Sequence, residues 1–271
     1  MFDNSKLEIV SFSGWGQKYN SLETIFASDS FNEINKKLTI TSVDYSKFFS
    51  FEDLLKNINY LVPSLKSTNI MIGWSLGGQI ILRLVAKKIF NPSLIILISP
   101  PFQMVKQCLE VAIFNNQLKS EIITKQNNQN LPRIGAGMSV DKFTRFYHNF
   151  CLSPSKTLQE FSILTSMNDI NKFEMISDLD LTNHQNWQFW LAELARFSCF
   201  EIDFTKMPRI LFFQGLGDMV VHYSQAQIFQ KLCPNFYLEL IKNCGHAPHI
   251  SNLKLVRDKI LTEINLLYNT K

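Results

Sequence analysis

Short apolar runs alternate with stretches of helical spacing along the first third of the chain. Leu7 to Phe12 predicts a strand that ends at Ser13-Gly14, and Leu38 to Val43 predicts a second. From Phe51 to Leu65, the positions Leu54, Leu55, Ile58 and Leu61 share one face of a helix. Asn69 to Gly73 predicts a third strand, Gln79 to Ile89 a helix, and Leu94 to Ser99 a fourth strand closed by Pro100-Pro101. Strands separated by helices predict an α/β fold with a mostly parallel sheet covered on both faces.

The rhythm changes after Phe102. As far as Phe204 there are helical patches without the strand–helix alternation. The alternation resumes with a strand at Arg209 to Gln214, a helix at Ser224 to Leu232, a strand at Phe236 to Ile241 and a helix at Leu253 to Leu267. The expected organisation is one α/β core, residues 1–101 and 205–271, interrupted by a helical lid insertion over residues 102–204. The insertion follows a strand that ends at the carboxyl edge of the sheet, where sites form in open α/β folds.

Composition narrows the class only slightly. Of 271 residues, 46% are hydrophobic and 18% charged, a globular balance. The net charge of +4 is too small to point to nucleic acid. Cys108, Cys151, Cys199, Cys233 and Cys244 are odd in number, widely spaced and without a Cys-x-x-Cys pair. That argues against a disulfide framework or a zinc site. The N-terminal MFDNSKLEIV lacks the pattern of a signal peptide, and no apolar stretch is long enough to span a bilayer. A soluble cytoplasmic protein is expected.

One stretch carries chemistry. MIGWSLGGQI, residues 71–80, places Ser75 between Gly73 and Gly77, after an expected strand and before an apolar helix. Strand, Gly-x-Ser-x-Gly, helix is the layout of a nucleophile elbow, a tight turn that lifts the serine to the sheet edge. Neighbouring chain must come close there, which glycines permit. The helix starting near Leu76 points N–H groups at any anion beside Ser75.

Serine needs a base, and the base an orienting acid, in the chain order Ser, acid, His. Among five histidines, His148 and His184 lie in the insertion and His222 begins a helix. His246 and His249 follow the last strand in NCGHAPHIS, and His246, directly after Gly245, is the better placed. RILFFQGLGDMVV offers one carboxylate after the preceding strand, Asp218. The oxyanion requires two donors: Leu76 N–H is one, and Trp15 N–H, in SFSGWGQ after the first strand, is the candidate for the other. Trp15 and Trp74 either wall an apolar acyl pocket or pack in the core.

Together these residues resemble the α/β-hydrolase superfamily. More narrowly, the chain is similar to the biotin-synthesis esterases of the BioH type, which demethylate pimeloyl-acyl carrier protein methyl ester. The resemblance rests on SGWG at 13–16, GWSLGG at 73–78, GLGDMVV at 215–221 and GHAPHIS at 245–251. It implies Ser75 as nucleophile, Asp218 as acid, His246 as base, and Trp15 and Leu76 as oxyanion donors, with no metal or cofactor. Ser13 stands where the family has histidine, His249 where it has an aromatic residue and Asn252 where it has histidine. VDYSKFFSFED lacks the family's Pro-Gly-x-Gly-x-Ser run. Phe150 lies roughly where the family has a phenylalanine lining its acyl channel.

The resemblance also implies a partner, an acyl carrier protein bearing the pimeloyl methyl ester. The first half of the insertion carries Lys106, Lys119, Lys125, Arg133, Lys142, Arg145 and Lys156 against Glu110, Glu121 and Asp141. A carrier protein is strongly acidic, and Arg133, Lys142 and Arg145 are candidate contacts for steering it. A solvated helix face reads equally well. The same serine machinery also fits a general carboxylesterase or thioesterase acting on small free esters. The complete Ser75, Asp218 and His246 set argues against a non-catalytic binding protein.

Overall fold

The computed structural model describes residues 7–27, 31, 38–63, 68–106, 109–111, 122–124, 137–169 and 178–269. Six strands make one sheet: β1 (Leu7–Phe12), β2 (Leu38–Ser42), β3 (Ile70–Trp74), β4 (Leu94–Ile98), β7 (Arg209–Gly215) and β8 (Phe236–Ile241). Their order is β2-β1-β3-β4-β7-β8, and every pairing is parallel.

Alternation along the central strands sorts side chains into two cores. Val10, Phe12, Met71, Ile95, Leu97, Ile210 and Phe212 face one way. They pack with α1 (Phe51–Leu61), α2 (Leu76–Ala86), α6 (Ser224–Leu232) and much of the segment between β4 and β7. Ile9, Ile70, Ile72, Trp74, Ile96, Ile98, Leu211 and Phe213 face the other way. They are covered by Val256, Ile260 and Ile264 of α8 (Leu253–Asn269) and by Leu22, Ile25, Phe26 and Phe31. A parallel sheet buried on both faces explains why its strands read as nearly unbroken apolar runs.

Although 102–204 intervenes in sequence, β4 and β7 are neighbours in the sheet, Ile98 standing opposite Phe213. The segment leaves β4 at the carboxyl edge of the sheet and re-enters at the amino edge, where Arg209 begins β7 opposite Leu94. Its described part holds α3 (Val140–Leu152), α4 (Pro154–Thr165) and α5 (His184–Arg196). Ser153-Pro154 separates the first two, proline starting α4 where its missing N–H costs nothing. A small antiparallel ribbon of β5 (Leu109–Val111) and β6 (Ile122–Thr124), outside the main sheet, has no counterpart in the sequence pattern.

The segment is tied to the core by polar side chains as well as by apolar contact. Arg83 of α2 pairs with Glu193 of α5 at 3.0 Å while its guanidinium lies 3.6 Å from the Phe51 ring centre. Trp190 Nε1 donates to the Tyr45 carbonyl at 3.0 Å. Among the described residues no helix is long and apolar enough to cross a membrane.

Candidate active site

The sheet order reverses direction between β1 and β3, which makes the crevice beyond their carboxyl ends the topological switch point. The loop after β1 and the turn after β3 meet there, because Phe12 stands opposite Gly73. Ser75 occupies that turn with φ 53° and ψ −119°, a strained conformation for a residue with a side chain. Its backbone N–H is held by the Ile98 carbonyl at 2.8 Å, and α2 begins at the next residue.

The flanking glycines are required sterically. A Cβ on Gly73 would lie 2.7 Å from the Gly77 carbonyl carbon and the Gly78 nitrogen, and one on Gly77 would strike the carbonyl oxygens of Phe12 and Ser13. Helix α2 is thereby drawn against β1, so the N–H groups of its first turn face the same crevice as Ser75. Neither the Trp15 nor the Leu76 backbone N–H has a hydrogen-bond partner among the described residues.

Asp218 and His246 come together at the ends of β7 and β8. His246 Nδ1 and Asp218 Oδ2 are 2.8 Å apart, and both residues are buried, at 1% and 5% exposure. The carboxylate is fixed from every side. Oδ1 accepts the N–H groups of Val220 at 2.8 Å and Val221 at 2.9 Å, and Oδ2 also accepts Gln214 Nε2 at 2.8 Å. With Nδ1 committed to the carboxylate as donor, Nε2 of the neutral ring is an acceptor. That Nε2 is buried and has no hydrogen-bond partner among the described residues.

His249 is different. It is buried against the Trp74 ring, with 4.6 Å between ring centres, and neither ring nitrogen has a partner among the described residues. Burial, and then the neighbouring His246, push its pKa down to about 3. It is a neutral packing residue with no carboxylate among the described residues to orient it.

Trp74 lies in the core on the α8 side of the sheet, and its Nε1 donates to the His246 carbonyl at 2.9 Å. Trp15 lies on the opposite side, in the core shared with α3 and α5. Its ring makes edge contacts with Phe146, Phe150 and Phe161 at 5.6, 5.0 and 5.3 Å, and its Nε1 donates to the Trp187 carbonyl at 2.7 Å. Phe150 is therefore fully buried against Trp15. Beneath the same loop, Tyr45 donates its hydroxyl to the Ser13 carbonyl at 2.9 Å, while Ser13 Oγ is buried without a partner among the described residues.

Lys142 and Arg145 are exposed on α3. Arg133, Lys119, Lys125 and Glu121 lie outside the described residues.

Sequence reasoning did not find a further set of groups, the turn after α4. Thr165 O accepts the His246 N–H at 3.0 Å, Asp169 Oδ1 accepts the Gly245 N–H at 2.5 Å, and Asn168 Nδ2 donates to Gly217 O at 3.0 Å. No spacing or motif marks these residues, because each reaches its partner across a long stretch of chain.

Comparison with known proteins places the chain in a family. The alpha/beta hydrolase fold family matches residues 28–253, and the chain belongs to that family. It is 24% identical over 266 residues to the biotin biosynthesis bifunctional protein BioHC of Teredinibacter turnerae, covering 93% of this chain and 43% of that protein. The chain thus spans less than half the length of that relative. It is 23% identical over 210 residues to the pimeloyl-[acyl-carrier protein] methyl ester esterase of Aromatoleum aromaticum, covering 71% of this chain and 72% of that one. Among solved structures, the esterase EaEST from Exiguobacterium antarcticum superposes with a TM-score of 0.70 at 16% identity, covering 96% of this chain and 92% of its own. At that identity the likeness speaks for the fold alone.

Proposed function

We propose that the chain is a cytoplasmic serine esterase that hydrolyses the methyl ester of a pimeloyl group carried on an acyl carrier protein. The observation that carries the esterase reading is the His246–Asp218 pair, whose histidine Nε2 has no partner among the described residues, together with a serine in a strained turn at a helix start. The relatives that act in biotin synthesis support the choice of ester.

In this reading Ser75 Oγ attacks the ester carbonyl as His246 Nε2 takes its proton. The tetrahedral oxyanion rests on the Trp15 and Leu76 N–H groups, both without another partner among the described residues. Asp218 holds the imidazolium through Nδ1. Methanol leaves with the proton that His246 returns to it. Water then gives its proton to His246, attacks the acyl-enzyme and restores Ser75, releasing the free carboxylate on the carrier. No metal or cofactor enters these steps. Exposed Lys142 and Arg145, with Arg133, steer the acidic carrier, and the aromatic cluster around Phe150 bounds the apolar side of the acyl site.

Complementation of a biotin auxotroph lacking its own esterase tests the reading. Growth with the wild-type chain, and none with Ser75→Ala, is the expected result. If the wild type hydrolyses p-nitrophenyl butyrate but does not support growth, a general carboxylesterase replaces it. If Ser75→Ala keeps esterase activity, the serine mechanism fails.

A further inference from the structure

The turn that follows α4 belongs to the segment between β4 and β7, yet its polar atoms are spent on the two loops that carry Asp218 and His246. Thr165 O and Asp169 Oδ1 hold two consecutive N–H groups, those of His246 and Gly245. Asn168 sits in the left-handed region, at φ 72°, and reaches Gly217 O beside Asp218. The loops are also joined directly, Gly217 N–H donating to Cys244 O at 2.9 Å. A Cβ on Gly245 would lie 2.8 to 2.9 Å from Met167 O, Thr165 O and Asp169 Oδ2, so the turn fits closely over the peptide preceding His246.

Asp169 is the costly member of this set. It is a buried carboxyl, and burial raises its pKa while the Gly245 N–H and the Ser251 and Cys244 side chains act to lower it. A buried acid carries a desolvation cost that its hydrogen bonds must offset. Packing alone does not require a carboxylate here.

We propose that Asp169 is a positioning residue for the base: by fixing the Gly245 peptide it sets the direction of His246 Nε2 toward Ser75, and so couples turnover to the seating of the lid segment. This inference rests on the serine esterase reading. It places Asp169 in contact with the loop and not with the substrate, so the cost of losing it falls on the chemical step. Small displacements of a catalytic group cost on the order of 10- to 100-fold in rate.

The test measures p-nitrophenyl butyrate hydrolysis and the rate of covalent labelling of Ser75 by a fluorophosphonate. Asp169→Ala should lower kcat and the labelling rate together by about 10- to 100-fold, with KM within about twofold. Asp169→Asn keeps an acceptor for the Gly245 N–H and should recover most of both. A folded Asp169→Ala with wild-type kcat and labelling overturns the proposal, as does an Asp169→Asn as damaged as the alanine variant. Should Asp169→Ala not fold, Asp169→Glu carries the test. Its longer side chain keeps the carboxyl group but cannot hold the 2.5 Å contact without displacing the loop, so unchanged kcat there also overturns the proposal. Ser75→Ala in the same labelling assay separates the two readings: label retained in that variant removes the serine mechanism itself.

Discussion

Asp218→Asn should separate activity from stability in this chain. Asp218 Oδ1 takes two backbone N–H groups, from Val220 and Val221, so the asparagine oxygen stays on that side. Its amide nitrogen then faces His246 Nδ1 and Gln214 Nε2, each 2.8 Å from the oxygen it replaces. Gln214 can adapt by turning its amide, because its Oε1 has no partner among the described residues and would accept the new donor. That turn gives up the Gln214 Nε2 bonds to Gly215 O at 3.3 Å and Val221 O at 3.1 Å. His246 can adapt only by changing tautomer, with Nδ1 becoming the acceptor and Nε2 carrying the proton. A protonated Nε2 cannot take the proton of Ser75. The stability change is the loss of one or two hydrogen bonds, about 1–3 kcal/mol. The activity change is the loss of the correct tautomer, on the order of 10⁴ in kcat, or about 5 kcal/mol of barrier. Thermal unfolding and steady-state hydrolysis of p-nitrophenyl butyrate read the two separately. Asp218→Asn with kcat within tenfold of the wild type would refute the assignment of Asp218 as the orienting acid.

Two other outcomes follow from the same geometry. His249 has its pKa depressed to about 3, so between that value and about 6.5 the unfolded chain binds a proton that the folded chain refuses. Its contribution to stability is therefore complete above pH 6.5 and falls as the pH drops toward 3, by up to roughly 5 kcal/mol. His249→Phe removes the titrating group, so its acid unfolding midpoint should lie at lower pH while esterase activity persists. A variant with unchanged acid sensitivity would mean that His249 is not buried as a neutral ring. Lys142→Glu/Arg145→Glu, both at exposed positions, should slow hydrolysis of a carrier-linked methyl ester and leave p-nitrophenyl butyrate untouched. Rising salt should reproduce that split in the wild type; equal slowing of both substrates by the variant would point to a damaged α3 instead.

The core strands were legible because a parallel sheet covered on both faces forces nearly continuous apolar runs, as in Ile70–Trp74 and Leu94–Ile98. Helix ends were less so, for identifiable reasons. The helix expected to reach residue 65 stops at Leu61, since Pro63 turns the backbone of Val62 out of helical geometry, to φ −128° and ψ 80°. Helix α2 starts at Leu76, as the Gly-x-Ser-x-Gly layout implies, whereas the apolar spacing alone marks it only from Gln79, because Gly77 and Gly78 carry no periodic signal and are poor helix formers. The positions of Ser75, Asp218 and His246 could be singled out because each follows a strand at a turn with a glycine nearby. The turn at Thr165–Asp169 could not, since its bonds join positions 49 to 81 residues apart and only the fold brings them together. The ribbon β5–β6 was hidden for another reason: two three-residue strands are too short to establish alternation.

Trp15 has its backbone in one part of the molecule and its ring in another. The peptide belongs to the loop after β1, but the indole is packed among Phe146, Phe150 and Phe161 and hydrogen-bonded to the main chain of α5. In the proposed chemistry that peptide N–H receives the oxyanion, so the segment between β4 and β7 is not an exchangeable cassette. A chimera carrying a relative's β4–β7 segment on this core would replace the socket of the indole and shift the peptide N–H proposed to receive the oxyanion. New substrate ranges built on this scaffold would then arise more readily by single substitutions around an intact aromatic socket than by wholesale exchange of the segment.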